Sequence, residues 1–123
     1  MSEPGDLQDQ HARSAAVTRA VLGAARLLEI TSAELKELLD IDEAKSHALH
    51  SGDAVLQETE TDSWGRAILF IRMYRSLVTI VSDDRTAIAW LRGPNLALGD
   101  TPIGLIGTRA GLESVVGYLE AQL

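Results

Sequence analysis

His47 and His50 stand three residues apart and are the side chains of this sequence best suited to hold a metal ion. On a helix they would lie on one face, where Asp42, Asp53 or another residue would have to supply a third ligand. Two histidines without cysteine and without a His-Glu-x-x-His pattern are a weak metal signal. Polar side chains on the surface of a short helix are the favoured interpretation, so we predict neither a metal nor a cofactor.

The sequence contains no recognisable catalytic pattern. Its serines lack the Gly-x-Ser-x-Gly context, and Gly104, Gly107 and Gly111 lack the Gly-Lys-Ser/Thr run of a phosphate-binding loop. Asp83 and Asp84 are most simply a helix cap and its neighbour. Because nothing assembles a nucleophile, a base and an oxyanion donor, we predict that the chain is not an enzyme.

The arginines of one predicted helix point instead to binding. Arg66, Arg72 and Arg75 lie off its apolar stripe, beside Tyr74. Arginine and tyrosine are enriched at protein interfaces, and the arginine fork suits carboxylates. This face therefore fits a protein or carboxylate partner, although a solvated face paired with nearby acids explains the pattern equally well.

A second binding signal is the segment 90–106, which contains strong turn signals at Gly93-Pro94-Asn95 and at Gly99-Asp100. We predict that Leu96 and Leu98 pack inward between these turns. These turns fix the backbone of a connection that carries both apolar and amide side chains. The pattern therefore indicates a rigid surface and not only a linker.

The composition predicts a globular domain of ordinary character. The 123 residues suffice for one domain or two small ones that share a core, and 46% of them are hydrophobic. Only 4% are aromatic, so the core must consist mainly of aliphatic residues, and Trp90 is either a core residue or an interface anchor. Its spacing favours the core.

The absence of cysteine excludes disulfides, thiolate metal sites and cysteine nucleophiles. It fits a reducing compartment. No signal-peptide pattern and no run long enough to span a bilayer are visible, so we expect a cytoplasmic protein.

The formal net charge is −7, and the acidic excess lies in the front of the chain. Up to Ala54 there are five Lys or Arg against ten Asp or Glu, and the remainder has six against eight. Proteins that bind nucleic acid must neutralise phosphates with basic side chains. The charge therefore argues against DNA binding by the front half.

The helical spacing of apolar residues predicts an all-α fold with about seven helices. A disordered tail is expected over residues 1–11, and a linker or helix start over residues 54–62. The predicted helices cover about 12–29, 32–39 (capped by a Thr31–Glu34 capping box), 43–51 (ended by Gly52), 63–81, 85–92, a short helix from Pro102, and about 109–122.

The second and third predicted helices match the helix-turn-helix pattern, with an apolar residue in the turn. The third would be the recognition helix, and the side chains predicted to face DNA are Lys45, Ser46, His47 and His50. A helical hairpin that only packs is an equally good interpretation. Dimerisation could offset weak affinity at each half-site, because the second contact becomes intramolecular.

Three runs in the C-terminal half form a more specific pattern. They are Met73-Tyr74-Arg75-x-Leu77, Ala87-x-Ala89-Trp90-Leu91-Arg92-x-Pro94-Asn95-x-Ala97-Leu98-Gly99-Asp100-x-Pro102-x-x-Leu105-Ile106, and Gly111-Leu112-x-x-Val115-x-x-Tyr118-Leu119. With these runs, residues 63–123 resemble the C-terminal toxin-binding domain of the Xre/MbcA/ParS antitoxins. Residues 12–53 resemble, more loosely, the Xre-type helix-turn-helix and dimerisation region of the same proteins.

The resemblance implies a bacterial antitoxin encoded beside a RES-domain toxin, an enzyme that consumes NAD. It implies a homodimer whose C-terminal domain blocks the toxin's active site and whose helix-turn-helix region can bind the operator and autorepress. The alternative is a stand-alone helix-turn-helix transcriptional regulator. Together with the arginine face, the resemblance assigns these residues to toxin binding: Arg72, Tyr74, Arg75, Trp90, Arg92, Pro94, Asn95, Leu98, Gly99, Tyr118 and Leu123.

Overall fold

The structure is a computed structural model that describes the backbone of residues 4–123 and the side chains of residues 7–123. Within these ranges it contains seven helices and no strand, which confirms the predicted all-α class. The helices are α1 (Pro4–Leu27), α2 (Ser32–Leu39), α3 (Glu43–Ser51), α4 (Thr61–Val81), α5 (Asp84–Arg92), α6 (Pro102–Leu105) and α7 (Arg109–Glu120). None of the described helices combines the length and the apolar character needed to cross a bilayer.

Local capping sets the ends of α2 and α3. Glu34 N donates to Thr31 Oγ1 at 3.1 Å and Thr31 N donates to Glu34 Oε1 at 2.9 Å, which confirms the predicted capping box. Asp42 Oδ1 accepts from Lys45 N at 2.8 Å at the start of α3. Gly52, at φ 85°, ends that helix in the left-handed region that glycine tolerates best.

The start of α1 differs from the prediction. The helix begins at Pro4, so the predicted tail is helical over residues 4–11, while residues 1–3 lie outside the described part of the chain. This stretch has no apolar stripe, and Leu7 remains 57% exposed, so the packing signal used to find helices is absent. Leucine and glutamine, present here as Leu7, Gln8 and Gln10, nevertheless extend an existing helix at little cost.

Helix α4 is the centre of the molecule and packs against α1, α2, α5 and α7. Its most deeply buried apolar side chains are Ala67, Phe70, Met73 and Leu77. Ala67, Phe70, Met73 and Leu77 follow one another at intervals of three or four residues, so they share one face of α4.

The predicted linker is anchored in the core. Leu56 is fully buried, and its backbone N–H donates to Thr18 Oγ1 at 2.8 Å. The same hydroxyl donates to Ser14 O at 2.7 Å. The buried Thr18 hydroxyl thus both donates and accepts a hydrogen bond, as buried polar groups usually do. Leu56 therefore fastens the non-helical segment 52–60 to α1.

One hydrophobic cluster joins the two halves of the chain. It contains Leu28, which follows α1, and Leu38 of α2 together with Leu91 of α5 and Leu112 of α7. The division into a helix-turn-helix region over 12–53 and a toxin-binding domain over 63–123 stays a prediction about function, and the packing runs across it.

Candidate functional site

A single helical turn lies between α5 and α6, and we call its residues Asn95–Gly99 the capped turn. Asn95 Oδ1 accepts from Leu98 N at 3.1 Å, as an N-cap residue does. Gly99 N donates to Asn95 O at 2.9 Å, and Gly99 closes the turn at φ 84°. Both ends of the turn are thus fixed by hydrogen bonds and by a conformation that favours glycine.

The side chains of the capped turn point in opposite directions. Leu98 is half-buried and packs against the core, as predicted. Leu96 is 99% exposed, so the prediction that it packs inward is wrong. The turn is one revolution long, so only one of its two leucines can face the protein. The residue types alone do not reveal which of the two leucines that is.

Arg92, at the end of α5, clamps this region to α2. Its Nη1 and Nη2 donate to the two carboxylate oxygens of Glu34 at 2.6 and 2.8 Å, and Nη2 also donates to Glu29 O at 3.0 Å. This bidentate geometry is the strong form of a charge-assisted hydrogen bond. The hydrogen bonds from Arg92 hold the pKa of Glu34 at about 2, down from 4.5.

The clamp makes stability depend on pH over a defined window. An acid whose folded-state pKa is lowered stabilises the fold above its unfolded pKa, and this contribution is lost as the pH falls from about 4.5 towards 2. Glu34→Gln keeps an acceptor for Thr31 N and removes the charge, so we expect it to cost about 1 kcal/mol at pH 7, since the pair is partly solvent-screened. That cost should vanish near pH 2 when urea denaturation of variant and wild type is compared. A cost that does not change with pH would contradict the assignment.

Trp90 and Tyr118 connect α5 to α7. Their ring centroids are 6.3 Å apart with an interplanar angle of 15°, a stacked arrangement. Both rings are half-buried, so Trp90 lies at the edge of the core and not at its centre. The pair fixes the position of α7 relative to the capped turn.

The arginine face of α4 is largely paired. Arg72 Nε donates to Glu120 Oε2 at 3.0 Å, and Arg66 Nε donates to Asp62 Oδ2 at 2.9 Å. Arg75 is exposed and makes no ion pair among the described residues. The interpretation as a face paired with nearby acids thus holds for two of the three arginines.

Two of the other predicted contact residues differ in accessibility. The Tyr74 hydroxyl donates to Asp84 Oδ1 at 3.4 Å, and burial, with this carboxylate beside it, raises the pKa of Tyr74. Leu123 follows α7 and is 67% exposed. Tyr74 is therefore largely engaged within the protein, whereas Leu123 is free to meet a partner.

The predicted recognition helix α3 presents fewer side chains than expected. Ser46 is buried on the same face as Leu49, so its prediction as an outward residue is wrong. Lys45 is half-buried, and its Nζ donates to Glu60 Oε1 at 2.9 Å, which uses the helix's only lysine. His47 and His50 are exposed as predicted.

The two histidines are not part of a larger ligand cluster. His50 Nδ1 lies 2.8 Å from Ser46 O, a contact within its own helix. Over the described residues, no group of three or more histidine, cysteine, aspartate or glutamate side chains is arranged to hold a metal ion.

Comparison with known proteins bears on the C-terminal part. The model of a family described as the antitoxin Xre/MbcA/ParS C-terminal toxin-binding domain matches residues 76–122. The match starts in the second half of α4 and runs through α5, α6 and α7. It therefore includes the capped turn, Arg92, Trp90 and Tyr118, as well as Pro94.

Four residues assigned to toxin binding fall outside the matched segment: Arg72, Tyr74, Arg75 and Leu123. No curated protein matches the chain. The geometry and the family match concern the same structural unit, the platform of α5–α7 with its capped turn. In sequence, residues 76–122 are thus similar to the C-terminal toxin-binding domain of the Xre/MbcA/ParS antitoxins.

Proposed function

We propose that the chain is the antitoxin of a type II toxin–antitoxin system, acts in the bacterial cytoplasm and neutralises a RES-type toxin that consumes NAD. The observation that carries the proposal is the match of residues 76–122 to an antitoxin toxin-binding domain. This family is not a class of enzymes, and the proposed inhibition needs none: covering the entrance of the toxin's active site excludes its substrate.

The geometry suits a protein that works by covering another surface. The capped turn, the Arg92–Glu34 clamp and the Trp90–Tyr118 pair hold the α5–α7 platform in one shape. A preorganised surface loses little conformational entropy on binding, so more of the contact energy appears as affinity. Outside the matched segment, Leu123 adds an exposed apolar group, and Arg75 adds an exposed cation that forms no ion pair with the side chains of residues 7–123.

The decisive experiment uses the toxin encoded in the neighbouring reading frame. Purified full-length chain is titrated into the toxin while NAD consumption is followed, and we expect activity to disappear at a fixed molar ratio. Light scattering of the complex and of the free chain tests the proposed homodimer in the same samples. Full toxin activity in excess chain would refute the proposal.

Operator binding with autorepression is a further proposal, and a stand-alone regulator is the alternative to an antitoxin. The observation that favours DNA binding is that α2 and α3 are joined by the three-residue segment 40–42, with His47 and His50 exposed on α3. A mobility shift of the chain's own promoter fragment at low salt, with and without toxin, tests it. His47→Glu should abolish such a shift, and a shift that this variant leaves unchanged would rule out α3 as the reader.

A further inference from the structure

We propose that Leu96 is the anchor of the toxin interface and enters an apolar recess on the toxin. The inference rests on the proposed function, because it names the side chain through which the toxin-binding domain grips its partner. It assigns the main contact to the capped turn, whereas the family resemblance directs attention to the C-terminal helix.

The exposure of Leu96 differs in degree from that of other apolar side chains. It is 99% exposed, against 57% for Leu7, 43% for Leu27, 37% for Ile80 and 67% for Leu123. Single exposed leucines are common on soluble proteins, so exposure alone carries no weight. Leu7, Leu27 and Leu123 lie outside the family-matched segment, and Ile80, which lies inside it on α4, is only 37% exposed. Leu96 therefore combines a place in the matched segment with almost complete exposure on a fixed turn.

The turn holds Leu96 outward on a fixed backbone. Asn95 caps the turn through the bond to Leu98 N, and Gly99 closes it through the bond to Asn95 O. Before the turn, Pro94 restricts the backbone, and Arg92 is bound to Glu34 and to Glu29 O. An exposed side chain on such a support can enter a partner's pocket with little ordering cost, as interface hot spots do.

The surroundings of Leu96 define the chemistry of the partner surface. Residues 93–108 carry one charged side chain, Asp100, and no cation. A depression of about 180 Å³ beside Leu96 is lined by Pro94, Asn95, Gly99, Asp100 and Thr101. The matching toxin surface therefore has an aliphatic or aromatic recess for Leu96 and a protruding side chain with a basic group that reaches the depression beside Asp100.

The test compares two substitutions of equal chemistry at exposed leucines. Leu96→Asp lies in the capped turn, and Leu7→Asp lies on α1, outside the matched segment. Each full-length variant is titrated with a catalytically inactive form of the neighbouring toxin by isothermal calorimetry. We expect Leu96→Asp to raise Kd at least about 100-fold and Leu96→Ala about 10-fold, with Leu7→Asp unchanged. Thermal unfolding of all variants should match wild type, since an exposed side chain contributes little to stability.

Each result has a distinct meaning. Wild-type affinity in Leu96→Asp would overturn the proposal while leaving the antitoxin function intact. A change in the oligomeric state of the free Leu96→Asp chain with unchanged toxin affinity would show that a second copy covers Leu96, which also overturns it. Failure of the wild-type chain to bind the toxin would overturn the proposed function together with this inference.

Discussion

Gly111→Ala is expected to lose about 3 kcal/mol or more of its free energy of unfolding. A Cβ on Gly111 would overlap the carbonyl oxygen of Leu105 and would lie 2.7 Å from its carbonyl carbon. Both are backbone atoms, which cannot rotate away as a flexible side chain can. Helices α6 and α7 would have to separate, which would disturb the platform that carries the capped turn.

Gly117→Ala is the matched control, because Gly117 lies on the same helix and a Cβ there would meet nothing within 4 Å. Alanine in an exposed helical position is better than glycine by about 0.5–1 kcal/mol, so this variant should be slightly more stable than wild type. Urea denaturation followed by far-ultraviolet circular dichroism measures both variants. Equal stability of Gly111→Ala and wild type would mean that α6 and α7 do not approach as closely as described.

Features that depend on residues no more than about four positions apart in the chain could be predicted from the sequence. The capping box at Thr31, the end of α3 at Gly52 and the start of α6 at Pro102 all depend on neighbours along the chain. The family pattern from Trp90 to Pro102 is also contiguous, and it located the matched segment. Local chemistry therefore defined the helices and the approximate place of the site.

Features set by tertiary packing could not be predicted. The sequence places Glu34 in a helix cap, and nothing near it along the chain indicates its bond to Arg92, 58 residues away. Ser46 is buried because α3 turns that face inward, although serine is usually exposed. Leu96 is exposed because Leu98 takes the inward direction of a one-revolution turn. Each of these three outcomes depends on which residues from distant parts of the chain pack beside the side chain in the folded protein.

Phe70→Ala is expected to lose about 3–5 kcal/mol of unfolding free energy, the range for removing a fully buried aromatic ring. Phe70 is the chain's one phenylalanine and lies in the middle of α4. The cavity would open within the cluster that contains Leu28, at the end of α1, and Leu112 of α7. The loss should therefore fall on both halves of the chain, not on the family-matched segment alone.

Phe70→Leu is the control that keeps most of the apolar volume, and it should cost less than about 2 kcal/mol. Unfolding is followed by far-ultraviolet circular dichroism, which reports all helices, and by the fluorescence of Trp64 and Trp90, on α4 and α5. Coincident transitions, shifted together in Phe70→Ala, are expected of one cooperative core. Two separate transitions would contradict this and would show that α1–α3 unfold independently of the toxin-binding platform. A single transition is expected because α4 packs against α1 and α2 as well as against α5 and α7, so the platform loses part of its support when the front half opens.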